Sequence, residues 1–296
     1  MDIGILTVKG PDYHPNRRLL EAGASKGLSV GLIDPRRISP LILNGRPGSA
    51  WHESTVLPTV ALTRQGAQIT ESSLVVLAHL ESMGMVLINS RPSVLAAKNK
   101  FTSLGLLAKN GIPIPDTVFV NTEEAFFRGI ETLGGYPVVC KKTSGRKGRG
   151  VFMAETPAEA DDMIERHLLP GEGLLIQRFI APAGRRDFRV LVIDGTVTAA
   201  MEMSIPDDDF RSNYAITGKS RGVFPDESVS RMAVQCARGL GLDIAGVDII
   251  DSPEKGRFVI EANSAPGFRG LEEATGLDIA AMIIDCTMAS NKLSGK

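Results

Sequence analysis

Three oxygen-bearing side chains near the C-terminal end could do chemistry together: Asp248 in AGVDIID, and Glu261 and Asn263 in VIEAN. Side chains two apart on a strand share a face, so Glu261 and Asn263 point the same way, and Asp248 joins them if the two strands are neighbours. Carboxylates set among apolar strand residues are costly to bury unless a cation or protons compensate them. Oxygen-only ligation suits Mg²⁺ or Mn²⁺, which bind through a few carboxylates and take other ligands from substrate phosphates. Asn263 supplies an oxygen without a third negative charge. The competing reading is two solvent-facing strand ends with ordinary carboxylates.

Other stretches bring positive charge. KKTSGRKGRGV (141–151) is a basic glycine-rich loop between two strands, in which Gly145, Gly148 and Gly150 let backbone N–H groups approach a phosphate while Arg146, Lys147 and Arg149 add cations. It is neither a Walker A loop nor a G-x-G-x-x-G turn, and a solvated basic hairpin reads the same. Lys141 ends the strand PVVCK, where an inward lysine needs an anionic partner. Lys100 lies in a helical stretch near Lys98, and a solvated face explains it equally well. In GRRDFRVLVI, Asp187 and Arg189 alternate onto one face, while Arg211, Ser212 and Asn213 follow in the loop of DDDFRSN. A guanidinium beside a metal and phosphates suits a transferring phosphoryl group, whereas a salt bridge to one of Asp207 to Asp209 is the plainer role for Arg211. LIQRFI can line a base pocket or be a plain buried strand.

The elements that must position these groups are legible from periodicity and turn residues. Asp2 to Val8, a helix from Asn16 to Lys26 and Ser29 to Asp34 read as a βαβ opening. Positions 36–53, rich in Pro, Gly and Ser, are expected to be loop, followed by a strand around 55–62, a helix over 71–83 and a strand over 85–89. The first βα junction, VKGPDYHP, has only Gly10, which argues against a dinucleotide site there. Positions 93–110 read as one helical stretch closed by Gly111, Pro113 and Pro115. Beyond it, strands over 117–120, 137–142, 151–155 and 174–180 alternate with helices over 122–132 and 156–167. A hairpin turning at Asp194-Gly195, a helix over 226–240, strands over 245–251 and 257–263 and a closing helix over 278–288 complete the chain.

Composition bounds the rest. The chain has 296 residues, 43% of them hydrophobic, so it can bury a sizeable core. Its 33 basic and 34 acidic residues leave a formal charge of −1. No global field draws it to nucleic acid or anionic membrane, and a nucleic-acid role for GRKGRG lacks a broad basic surface and aromatic platforms. Cys140, Cys236 and Cys286 are scattered without metal-type spacing and read as reduced thiols, which favours a cytoplasmic setting. No apolar run is long enough to span a membrane and no signal peptide is indicated.

In order and spacing, LLAKNGIPIPDT, PVVCKKTSGRKGRGV, LLIQRFI, RRDFRVLVIDGTVTAAM, DDDFRSN, LDIAGVDII and VIEANSAPGFRGLEEATGLDIA resemble the ATP-grasp superfamily, in its RimK-like branch of carboxylate–amine ligases, over nearly the whole chain. The resemblance implies an ATP-grasp fold of α/β and α+β domains: an N-terminal domain over 1–92, a central domain with the glycine-rich loop over 93–180 and a C-terminal domain with the metal site over 181–296, ATP lying between the last two. It implies that ATP phosphorylates a carboxylate and that an amine attacks the acyl phosphate, joining an amino acid, most plausibly glutamate, to a carboxylate on a peptide or protein C-terminus or a small molecule. By the same likeness, Asp248, Glu261 and Asn263 hold two Mg²⁺ or Mn²⁺ ions, and Lys100 and Lys141 contact phosphates. Gly145, Lys147, Gly148 and Gly150 belong to a phosphate flap, and Gln177, Arg178, Phe179 and Ile180 form the adenine hinge. Asp187 serves the ribose, Arg189 and Arg211 the phosphate or acyl phosphate, and Ser212 and Asn213 the γ-phosphate and substrate side; Arg189, Arg211 and Asn213 are the catalytic set. Relatives of this kind form dimers or tetramers. The chain departs from the pattern in two places: Arg178 stands where members carry Glu, and Tyr214 to Lys219 replace a His-Arg-Gly-Gly-like stretch on the acceptor side. The altered loop leaves acceptor identity open and suggests the alternative of a non-catalytic nucleotide sensor on the same scaffold.

Overall fold

The computed structural model describes residues 1–51, 57–143, 150–205, 209–210 and 220–294. Strand β1 (Ile3–Leu6), helix α1 (His14–Ser25) and strand β2 (Val30–Ile33) form the expected βαβ opening. Here the sequence expectation of a loop over 36–53 is corrected: β3 (Ile38–Leu43) and β4 (Arg46–Trp51) pair as an antiparallel hairpin. Its two-residue turn is Asn44-Gly45, both at positive φ (50° and 73°), the backbone that an Asn-Gly turn supplies and that matches strand twist. Pro40 and Pro47 are tolerated because a two-stranded sheet leaves an outer edge on each strand. β5 (Val60–Thr63), α2 (Glu71–Ser82) and β6 (Val86–Ile88) extend the first sheet, whose order is β2-β1-β5-β6 with every pair parallel.

The stretch after β6 is two helices, α3 (Arg91–Lys98) and α4 (Lys100–Lys109), where the sequence suggested one. Asn99 breaks the run with extended backbone (φ −102°, ψ 122°), and its side-chain oxygen accepts from the N–H groups of Phe101 and Thr102. This N-cap makes Lys100 the first residue of a new helix. A second sheet follows: β7 (Thr117–Val120), α5 (Glu123–Thr132), β8 (Val138–Lys142), β9 (Val151–Ala154), α6 (Pro157–His167) and β10 (Leu174–Arg178) give the antiparallel order β7-β10-β8-β9. Its core, including Phe126, Ile130, Met163 and Ile176, is its own.

The third sheet carries the acidic residues. β11 (Arg186–Ile193) and β12 (Thr196–Met203) turn at Asp194-Gly195, again at positive φ (48° and 68°), and β13 (Ser220–Gly222), helix α7 (Glu227–Gly239), β14 (Ile244–Ser252) and β15 (Gly256–Asn263) follow. The order is β13-β12-β11-β14-β15, antiparallel throughout. One face, with Phe188, Val190, Val192, Val247 and Ile249, packs on α7. The other divides along its length. Its apolar half, with Leu191, Ile193 and Ile244, shares a core with Ile3, Ile5, Val60 and Leu62 of the first sheet and with the last helices, α8 (Arg269–Thr275) and α9 (Ile279–Ser294). Its polar half carries Asp187, Arg189, Asp248 and Glu261. No helix among the described residues is long and apolar enough to cross a membrane.

Candidate active site

The site is a row across three strands. Arg189 on β11 lies opposite Asp248 on β14, and Asp248 lies opposite Glu261 on β15. Opposed residues of an antiparallel pair share a face, so the three side chains are lateral neighbours. Asn263, paired with Gly246, continues the row toward the strand end. A register shift between Asp248 and Ile249 makes this possible. Val259 still faces α7 within the apolar core, Ile260 is the extra residue of a bulge, and Glu261 emerges on the polar face. The run of three consecutive apolar residues Phe258-Val259-Ile260, which breaks a strict two-residue alternation, is the sequence sign of it.

Each carboxylate meets a cation. Arg189 donates through Nε and Nη2 to the two oxygens of Asp248, both at 2.7 Å. Burial works against the Arg189 charge, but Asp248 more than offsets it and the guanidinium pKa is raised. Lys100 Nζ lies 2.5 Å from Glu261 Oε1. Burial alone would raise the Glu261 pKa, yet Lys100, with Lys141 and Arg189 behind it, holds it below the ordinary carboxylate value. Lys141, on β8 of the second sheet, donates to Gln177 Oε1 at 2.5 Å, and Gln177 in turn donates to Thr117 Oγ1 at 2.8 Å. Burial, then the neighbouring Lys100 charge, pulls the Lys141 pKa down to about 8, with Glu261 and Asp248 opposing. Lys141 of the second sheet therefore lies within electrostatic reach of two carboxylates of the third.

The donor set fits a divalent cation. Asp248 and Glu261, opposed on neighbouring strands, are each answered by a protein cation, and Asn263 adds a carboxamide oxygen at the same strand end, so the set offers oxygen donors only. Among the described residues no group of three or more His, Cys, Asp and Glu could hold a metal by itself. An ion here would draw further ligands from phosphate and water, the habit of Mg²⁺.

Other expected residues fall variously. Gln177 is buried, with its side chain committed to Lys141 and Thr117. The Arg178 guanidinium is at the surface, 3.0 Å from Asp116, while its N–H donates to the Asp116 carbonyl. β10 ends at Arg178, so Phe179 and Ile180 leave the sheet, and Ile180 O accepts from Arg185. Asp187 is turned inward: Arg185 grips both its oxygens at 2.7 and 3.0 Å, and both side chains are almost wholly buried. This geometry gives no support to a ribose contact by Asp187. Arg185 was not singled out from sequence, although the Arg-Arg-Asp run with Arg185 and Asp187 two apart is a signal for such a pair. Gly150 is at φ 87° and its carbonyl accepts from the Lys142 N–H. Gly145, Lys147, Gly148, Arg211, Ser212, Asn213 and the stretch 214–219 lie outside the described residues.

A family model described as a RimK-like ATP-grasp domain matches residues 97–287, and one described as a RimK PreATP-grasp domain matches residues 1–94. The chain belongs to the RimK-like ATP-grasp family. Among curated relatives, a protein named probable alpha-L-glutamate ligase from Teredinibacter turnerae is 36% identical over 287 residues, covering 96% of this chain and 94% of its own length. Among solved structures, a RimK domain ATP-grasp protein from Sphaerobacter thermophilus superposes with a TM-score of 0.74 at 24% identity, covering 97% of this chain and 99% of that one. The ATP-grasp ligase PsnB, solved with a phosphomimetic variant of its minimal precursor, Mg and ADP, has a TM-score of 0.74 at 21% identity, covering 98% of each chain. These likenesses make the ATP-grasp fold plain and place the protein among ATP-dependent ligases that form C–N bonds.

Proposed function

We propose that the protein uses Mg-ATP to activate a carboxylate as an acyl phosphate and joins it to an amino acid, glutamate first among candidates, releasing ADP and phosphate. The observation that carries this reading is the row Arg189–Asp248–Glu261 on one sheet, with Lys100 at the start of α4 bonded to Glu261 and Lys141 of the second sheet within electrostatic reach. Asp248, Glu261 and Asn263 would hold the cation, two ions in the fuller form of the reading. When bound, the cation supplies charge neutralisation along the phosphates and so favours departure of ADP. Lys141 from the second sheet and Lys100 from the start of α4 would supply cations, and phosphate oxygens would give Lys141 an anionic partner in addition to the neutral Gln177 and Lys100 one in addition to Glu261.

The bonds balance simply. A carboxylate oxygen attacks the γ-phosphorus while its bond to the β-bridging oxygen breaks. The amine then attacks the acyl carbon, phosphate leaves, and the amine loses a proton. Arg189, planar and fixed by Asp248, suits the charge that gathers on the transferring phosphoryl group. Arg211 and Asn213 complete the catalytic set in this reading, on the strength of the sequence resemblance alone. Glutamate enters through the named relatives. The three sheets support units with boundaries near 92 and 180, ATP lying between the second and third. The unpaired cysteines accord with a cytoplasmic setting. Incubation with Mg-ATP, glutamate and a panel of peptide and small-molecule carboxylates tests the proposal. ADP should form only when amino acid and acceptor are both present; no ADP with any combination would overturn it.

A further inference from the structure

The strand ends behind the carboxylate row are held by residues of the N-terminal sheet. Gly246 opposite Asn263 is the last rung between β14 and β15. Where the next rung would fall, a side chain takes over: Asn89 donates through Nδ2 to Ile244 O and Ser264 O, both at 2.7 Å, and accepts through Oδ1 from Ile244 N at 2.8 Å. Asn89 is 1% exposed, and its own carbonyl accepts from Thr63 Oγ1 at 3.0 Å. Two residues on, Arg64 Nη2 donates to Pro266 O at 2.7 Å, with its guanidinium 5.7 Å from the Phe268 ring centre. No carboxylate bonds Arg64 among the described residues, and burial lowers its pKa to about 10. A cation buried against one carbonyl and a ring face is a costly tether. Pro266 itself lies over the sheet: a Cβ on Gly246 would come within 2.6 Å of Pro266 Cβ.

We propose that Asn89 and Arg64 are positioning residues: by fixing Ser264 and Pro266 from the N-terminal sheet, they set the aim of Asn263 and Glu261 relative to Asp248 and so the geometry of the cation site. This rests on reading those three residues as cation ligands. Neither Asn89 nor Arg64 touches the row itself. Their effect passes through the backbone that follows Asn263 and the start of the strand that carries Asp248. The N-terminal sheet thus becomes part of the phosphate-transfer machinery through two side chains.

The test compares the full-length wild type with Arg64→Met, Arg64→Lys and Asn89→Ser, measuring ADP binding by calorimetry in EDTA and across a Mn²⁺ series, with thermal melting as a check of folding. Arg64→Met and Asn89→Ser should raise the half-saturating Mn²⁺ concentration about 10-fold, in the range by which outer residues tune metal affinity. ADP affinity in EDTA should stay within about twofold of wild type, because phosphate contacts to Lys100 and Lys141 persist. Arg64→Lys, which keeps a donor for Pro266 O, should recover most of the loss. Folded variants with wild-type Mn²⁺ dependence, or a lysine variant no better than methionine, would overturn the inference. If Arg64→Met does not fold, Asn89→Ser decides by the same criterion. Wild-type protein whose ADP binding ignores Mn²⁺ would sink the cation reading itself, which is a different outcome.

Discussion

Lys141 is the residue whose chemistry is most open to measurement. Burial holds its pKa near 8, so in the free protein it is charged below that pH and increasingly neutral above it. In the proposed complex, phosphates at Lys141 would favour the charged form and raise its pKa. ATP affinity is therefore fullest below about pH 8 and should fall by up to about tenfold per unit as pH rises above it, until the raised pKa of the complex is reached. Calorimetry at pH 8.5 in buffers of different ionisation enthalpy should show proton uptake on ATP binding, abolished in Lys141→Met. Arg185 belongs to a different class. Arg185→Ala takes from buried Asp187 its bidentate partner and should cost about 3–5 kcal/mol in urea unfolding. Lys141, Asp248, Glu261 and Asn263 were legible because their types are wrong for apolar strands unless something answers them. The inward turn of Asp187 was not, since a carboxylate two residues before Arg189 reads equally as ligand-facing; only the structure shows Arg185 closing on it.

At the scale of elements, a cap, a bulge and a glycine bring these side chains together. The Asn99 cap starts α4 at Lys100, so Asn99→Ala should destabilise by about 1 kcal/mol and loosen Lys100 from Glu261. Gly246→Ala places a methyl against Pro266 and should shift the segment after Asn263, with weaker Mg-dependent ATP binding and little change in ADP binding in EDTA. Turns were legible where two residues fix them: Asp194-Gly195 was expected, and Asn44-Gly45 carries the same signal but was hidden in a Pro- and Gly-rich stretch. Pairing order was not legible, because it depends on which strands meet, and the Ile260 bulge left only a broken alternation that does not say which residue is the extra one.

Across the whole molecule, cores are shared unequally. The first and third sheets join through one apolar cluster, whereas the second sheet keeps its own. The wall bearing Lys141 is thus a separately packed body facing the carboxylate row, an arrangement suited to closing on a nucleotide. Phe126→Ala should cost about 3–5 kcal/mol, with faster hydrogen exchange confined to 117–178 and the third sheet unaffected. The central claim is that Asp248 and Glu261 act through a divalent cation on bound ATP. Its most direct test is calorimetric titration of ATP, with and without Mg²⁺, into wild type, Asp248→Asn and Glu261→Gln. The account predicts that Mg²⁺ tightens ATP binding in the wild type and that each substitution removes at least about tenfold of that gain; variants that keep the full Mg²⁺ effect would contradict it.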